Sequence, residues 1–176
     1  ASGFGKVIGD IGKIAGGFVL GQGILKAPSF FLSAAKAASE DAASQARLTQ
    51  AVRNTGYAFE DVGDVFAETI RVGQRLAFTD DQVRDSLSLL TAQTGSITEA
   101  NKRFTLAMDL ARGANIDVVT ASKLLGKVTE ENVNVLAKYG INVQKGASET
   151  ELFGLIQAKF GGQAKSFADS TAGMME

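Results

Sequence analysis

The chain contains no cysteine and no histidine in its 176 residues. The first absence excludes disulfides and thiolate metal sites. The second removes the commonest metal ligand and the commonest acid/base group near neutral pH. A Ser-His-Asp triad, a Cys-His pair and a zinc hydrolase are thereby ruled out, and no cofactor is implied. Tryptophan is absent too, and there is a single proline, Pro28. With abundant Ala, Leu, Lys, Glu and Gln, this composition favours helix throughout. Charge of either sign is nearly balanced, 18 Lys+Arg against 19 Asp+Glu, for a net charge of -1. Without a basic excess to neutralise phosphates, sequence-specific nucleic-acid binding is not expected.

Glycine, by contrast, is concentrated at the front. Residues 1–25, ASGFGKVIGDIGKIAGGFVLGQGIL, hold eight of the chain's 20 glycines. They make no phosphate loop, because Gly12-Lys13 is followed by Ile14 and Val7 stands where the first glycine belongs. GxGxxG also fails, since Ile8 and Lys26 occupy the third glycine's place in the two possible registers. A secretory signal is not recognisable either, because Lys6, Asp10 and Lys13 interrupt its start. The uncharged run Ile14 to Leu25 is shorter than the ~20 apolar residues of an unaided membrane span.

The spacing carries more information. Gly5, Gly9, Gly12 and Gly16 are 4, 3 and 4 apart, and Phe4, Ile8, Ile11, Ala15 and Phe18 run beside them at 4, 3, 4 and 3. Both stripes have the ~3.5-residue period of a helix seam. A helix this rich in glycine persists only when close packing supports it, and small residues permit close approach. Two readings stay open for 1–25: a tightly packed helix, coiled-coil-like or bundled with copies of itself, and a flexible glycine-rich arm.

Pro28-Ser29 reads as a break followed by a helix start. The segment to about Arg53 is alanine-rich, with Ala34, Ala38, Ala42 and Ala46 at i, i+4. That stripe suits either a narrow multi-helix bundle or a solvated connector. Asn54-Thr55-Gly56 ends it. Beyond it the pattern becomes a series of short amphipathic helices. One spans about Phe59 to Leu76. A second is capped at Thr79-Asp80-Asp81-Gln82, presents Val83, Leu87 and Leu90, and stops at Gly95. A third follows Ser96, with Ala100, Phe104, Ala107 and Ala111 on one face and Gly113 closing it. Asp117 caps a fourth through Val118, Ala121, Leu125 and Val128. Thr129 caps a fifth through Val133, Leu136 and Tyr139, stopped by Gly140. Ser148 caps a sixth through Leu152, Ile156 and Phe160, and after Gly161-Gly162 a last helix spans about Gln163 to Ala172. The expected fold is all-α: glycine/alanine-rich N-terminal helices, then a compact array of short amphipathic helices. The expected divisions are 1–27, 28–55 and 56–176.

Chemistry is sparse. The carboxylate pairs Asp80/Asp81, Glu130/Glu131 and Glu149/Glu151 all fall at expected helix starts, as do Asp61 and Asp64, where acidic groups favour the helix dipole. Lys123, Lys127 and Lys138 form at most a weak basic face. No catalytic, cofactor or metal site is expected, and no enzyme.

From Phe78 to Gly173 the order LAFTDDQV, LLTAQTGSITEA, LAMDLARGANIDVVTASKLLGKV, VLAKYGINV, FGLIQAKFGGQA and STAGM resembles the helical domain of tail tape measure proteins of long-tailed bacteriophages. Thr79-Asp80-Asp81, Thr94-Gly95, Leu110-Ala111, Ala121, Leu124, Tyr139-Gly140-Ile141 and Phe160-Gly161-Gly162 hold the family's turn and cap positions. Gly126 departs from the pattern by falling inside an expected helix. The resemblance covers about two thirds of the chain.

What it implies is a mostly helical homo-oligomer, a trimer, threaded through the lumen of the virion's tail tube to its tip. Such a protein sets tail length and contacts tail-tube and tail-tip proteins. At infection it is ejected and assists DNA across the host envelope, in some members with apolar segments entering the inner membrane. Family members are much longer, so the resemblance also implies that this chain is one piece of a larger protein. In that setting Gly5, Gly9, Gly12, Gly16, Phe4, Ile8, Ile11, Ala15 and Phe18 are the expected oligomer-packing residues. Phe18, Val19, Leu20, Ile24 and Leu25 are the expected membrane contacts. The alternative function is a membrane-active, pore-forming protein that inserts residues 1–25.

Overall fold

The structure is a computed structural model that describes residues 27–128, 133–144 and 146–172. The packing and membrane residues expected within 1–25, and the expected cap Thr129 with Glu130 and Glu131, lie outside the described residues. Every regular element among the described residues is helical, so the fold is all-α. The elements are α1 (Ala27–Asn54), α2 (Phe59–Arg75), α3 (Asp80–Thr94), α4 (Ile97–Gly113), α5 (Val118–Lys127), a 3-10 helix (Val133–Tyr139), α6 (Glu149–Phe160) and α7 (Gln163–Ala172).

The chain divides into two compact units, 1–38 and 39–176. The second unit takes in the latter half of α1, where Ser44, Leu48, Ala51 and Val52 are buried. Their 4-3-1 spacing makes a one-sided apolar stripe. Leu48 and Val52 belong to the same core as Phe66, Leu87 and Phe104. Arg47 reinforces this seat by pairing with Asp85 of α3 at 2.6 Å, and Arg84 of α3 pairs back to Asp41. The alanine stripe does not face this core: Ala38, Ala42 and Ala46 are exposed.

Local sequence accounts for most of the boundaries. Gly56 at φ +89° ends α1 and Gly95 at φ +64° ends α3, conformations open to glycine without a Cβ penalty. The N–H of Thr79 donates to Gln82 Oε1 at 3.1 Å, the backward arm of a capping box at the start of α3. Ser96 Oγ accepts from Glu99 N–H (3.3 Å), Asp117 Oδ1 from Thr120 N–H (2.7 Å) and Ser148 Oγ from Glu151 N–H (3.3 Å), starting α4, α5 and α6.

Helix α4 is the hub. Its expected face of Ala100, Phe104, Ala107 and Ala111 is buried, and so are Arg103, Leu106, Met108 and Leu110, which leaves it covered on most sides. Helices α3, α4 and α5 pack on one another, and α6 and α7 pack on α4. Small residues set the closest approaches. A Cβ on Gly73 of α2 would lie 2.5 Å from Val83 Cγ2, and one on Gly113 would lie 2.4 Å from the Phe160 ring. Gly126 sits within α5 where Gln93 of α3 crosses it; a Cβ there would overlap the Gln93 amide.

Two details differ from expectation. Residues 133–139 form a 3-10 helix rather than an α-helix, with Leu136 buried and Gly140 at φ +71° turning the chain out. 3-10 turns are frequent as connectors between helices, and here Leu136 is the buried residue among those described. The left-handed residue after α4 is Asn115, φ +53°, not Gly113. Asparagine tolerates that region, while Gly113 is needed for closeness to Phe160.

Candidate functional site

Beside α4 and α2 lies an open groove of about 780 Å³. Helix α2 presents Val62, Val65 and Val72 to it, at the 3- and 7-residue spacings that place side chains on one face. Helix α4 presents Ile97, Asn101, Thr105 and Met108, and Tyr57 stands at one end. Tyr57 is 57% and Val65 49% exposed, the two most exposed large hydrophobic side chains described. A polar rung crosses the groove: the Thr69 hydroxyl donates to Asn101 Oδ1 at 2.9 Å, and Asn101 Nδ2 donates to Ile97 O at 3.1 Å. Glu68, the only charged residue among the described ones that line it, is tied to Arg71 and Arg75, each at 3.2 Å. The lining is apolar and hydroxyl-bearing, with its charge neutralised. Its chemistry is burial of apolar surface, the property of an interaction face.

The carboxylate pairs do not converge. Asp80 and Asp81 open α3, where Asp80 accepts from Arg84 (3.5 Å) and from Gln74. Glu149 opens α6 and Glu151 lies in the same first turn. Asp61 is in the first turn of α2, while Asp64 lies one turn further in. Among the described residues no group of three or more His, Cys, Asp or Glu is placed to hold a metal ion. Lys123 and Lys127 lie exposed one turn apart on α5, and Lys138 sits over the Tyr139 ring at 5.1 Å.

Two cations do more than the sequence suggests. Arg103 of α4 is 9% exposed. Its guanidinium donates to the backbone oxygens of Leu125 (2.7 Å) and Val128 (3.3 Å) at the end of α5, and to the Glu149 carboxylate at the start of α6. It also stands 5.2 Å from the Phe153 ring centroid. Burial lowers its pKa and the nearby Glu99 opposes that shift, yet an arginine so placed remains a cation at neutral pH. Arg112, also of α4, lies between the rings of Phe78 (4.2 Å) and Phe167 (3.8 Å) and donates to Ala77 O at 2.6 Å. Desolvation lowers its pKa as well. Both read as ordinary surface cations in a sequence, because nothing local marks the distant carbonyls and rings that hold them.

Among the described residues no helix is long and apolar enough to cross a membrane. No protein-family model, curated protein or solved structure matches the chain.

Proposed function

We propose that the chain is a structural component of a bacteriophage tail, a piece of a tape measure protein that oligomerises inside the tail tube and is expelled at infection. The observation that supports this most is α1. It runs for 28 residues, about 42 Å at ~1.5 Å per residue. Ser33 and Ala35 through Ala43 are all exposed. These residues bury no side chain in the fold, and packing of a buried face is what usually sustains helices in water. Its alanine face suits a slender bundle of copies. The groove between α2 and α4 offers a separate apolar face for a tail protein.

In-frame deletions in the helical part of the parent gene test the reading. Tails shortened in proportion, seen by electron microscopy, are expected; unchanged tails overturn the ruler. Gly12→Leu tests the packing stripe and is expected to prevent oligomer formation.

The second reading, membrane insertion, rests on the uncharged run Ile14 to Leu25. A peptide of residues 1–25 is expected to release dye from liposomes, and one carrying Phe18→Asp and Leu20→Asp is not. Equal leakage from both, or none from either, counts against insertion.

A further inference from the structure

Helix α7 is held unlike the others. It is 10 residues long, below the ~12–15 at which isolated helices become even marginal in water. Little burial compensates. Ala164 is its one buried residue among those described, Ala168 is half-buried, and Phe167 is 41% exposed. It packs mainly on α4.

Its start is capped from another helix. Asp109 of α4 accepts from Gly162 N–H at 3.1 Å and from Ala164 N–H at 3.0 Å. Two donors at the start of α7 are thus satisfied by one carboxylate across a tertiary contact, where the helix dipole favours negative charge. One turn further along α4, the Arg112 guanidinium lies 3.8 Å from the Phe167 ring centroid, with Phe78 on its other side. These two side chains, 109 and 112, are three apart and so share one face of α4. The junction with α6 is Gly161-Gly162, with Gly162 at φ +82° and open space where its Cβ would lie.

We infer that α7 is a detachable latch: it lifts from α4 as a unit about Gly161-Gly162, with Asp109 and Arg112 as its catches, while α3, α4 and α5 stay folded. Both catches are polar or cation–π contacts on a partly exposed seam, and Ala164 is the core residue that α7 withdraws when they release. Arg112 keeps Phe78 and Ala77 O when Phe167 leaves, and Asp109 becomes solvated. A short helix with one buried alanine among its described residues is the kind of low-stability unit expected at the edge of a fold. The inference holds whatever the chain assembles with, and stands apart from the tail reading.

Hydrogen exchange of the whole chain, followed by mass spectrometry, tests it. In the wild type, amides of residues 167–172 are expected to exchange at least tenfold faster than those of α4, in a separate opening. Asp109→Ala is expected to speed exchange in α7 by about five- to tenfold, the effect of losing a helix cap worth ~1 kcal/mol, with α3, α4 and α5 unchanged. Phe167→Ala removes a partly exposed ring, leaves the core intact and is expected to act in the same direction. Exchange of α7 in step with α4, or acceleration of α3, α4 and α5 by the same factor in both variants, would show that α7 is part of the core. No effect of either variant on α7 would show that the named contacts are not its catches.

Discussion

The Arg103 guanidinium donates to the backbone oxygen of Leu125 at 2.7 Å across 22 residues of sequence. With Val128 O and Glu149 on the same side chain, one cation closes the end of α5 and the start of α6. The carbonyls and the carboxylate are not equivalent partners. A buried carbonyl that loses its donor costs ~1–3 kcal/mol, whereas Glu149, 41% exposed at its side chain, regains water. Arg103→Met is therefore expected to destabilise by ~2–3 kcal/mol and Glu149→Gln by under ~1 kcal/mol in urea unfolding. Equal losses would mean that the ion pair, not the carbonyl contact, holds the segment.

Two glycines within helices give opposite expectations. A Cβ at Gly73 would lie 2.5 Å from Val83 Cγ2, on a fully buried side chain whose β-branching restricts its rotamers. Overpacking costs ~1–3 kcal/mol, more than the ~1 kcal/mol that alanine gains over glycine in a helix. Gly154 in α6 has nothing within 4 Å of its Cβ position. Gly154→Ala is expected to raise stability by ~0.5–1 kcal/mol and Gly73→Ala to lower it by ~1 kcal/mol or more. Thermal unfolding of both variants checks the pair, and a stabilised Gly73→Ala would mean that α2 and α3 can part enough to admit a methyl group.

These residues show where sequence is informative and where it is silent. Caps are local, so Ser96, Asp117 and Ser148 are readable from a few neighbours, as are the stops at Gly56, Gly95 and Gly140. Period alone marks Val83, Leu87 and Leu90 of α3, Ala100, Phe104, Ala107 and Ala111 of α4, and Leu152, Ile156 and Phe160 of α6, but not the further buried Arg103, Leu106, Met108, Leu110 and Phe153. The roles of Gly73, Gly113 and Gly126 depend on which side chain arrives from another helix, which no local pattern encodes. Asp109 is the clearest case: it caps α7 from 53 residues away, and in sequence it is one acidic residue on a helix. The groove is equally hidden, since period alone does not show that Val65 stays 49% exposed while Val62 and Val72 are half-buried against the core.

Acid sensitivity is expected at Asp117. The Thr120 side chain and backbone N–H hold its carboxyl below the ordinary carboxylate range, with burial opposing. A pKa depressed by folding means that the folded state favours the ionised form. The stabilisation is then full above the unfolded value of ~3.9 and is lost as pH falls through the lower folded value. Asp117→Ala is expected to cost ~1 kcal/mol at pH 7, and the gap from wild type narrows below about pH 4. Asp117→Asn retains an acceptor and flattens that part of the profile. Melting temperatures from pH 7 to pH 2 measure this; a gap that stays constant with pH would exclude ionised Asp117 as the source.

The exposed alanines of α1 separate folding from assembly. Ala38 and Ala42 touch no core, and surface substitutions away from special features change stability by under ~0.5 kcal/mol. The double variant Ala38→Glu, Ala42→Glu is thus expected to unfold at the wild-type denaturant midpoint under conditions where the chain is a monomer. In an oligomer whose copies meet along these alanines, it places two carboxylates per chain where there is room only for methyl groups. Close approach is then prevented sterically, and like charges are brought together across the seam. Sedimentation is expected to shift from oligomer to monomer with the midpoint unchanged. An intact oligomer would move the interface away from α1 and leave the groove between α2 and α4 as the face to test next, with Val65→Asp as the corresponding substitution.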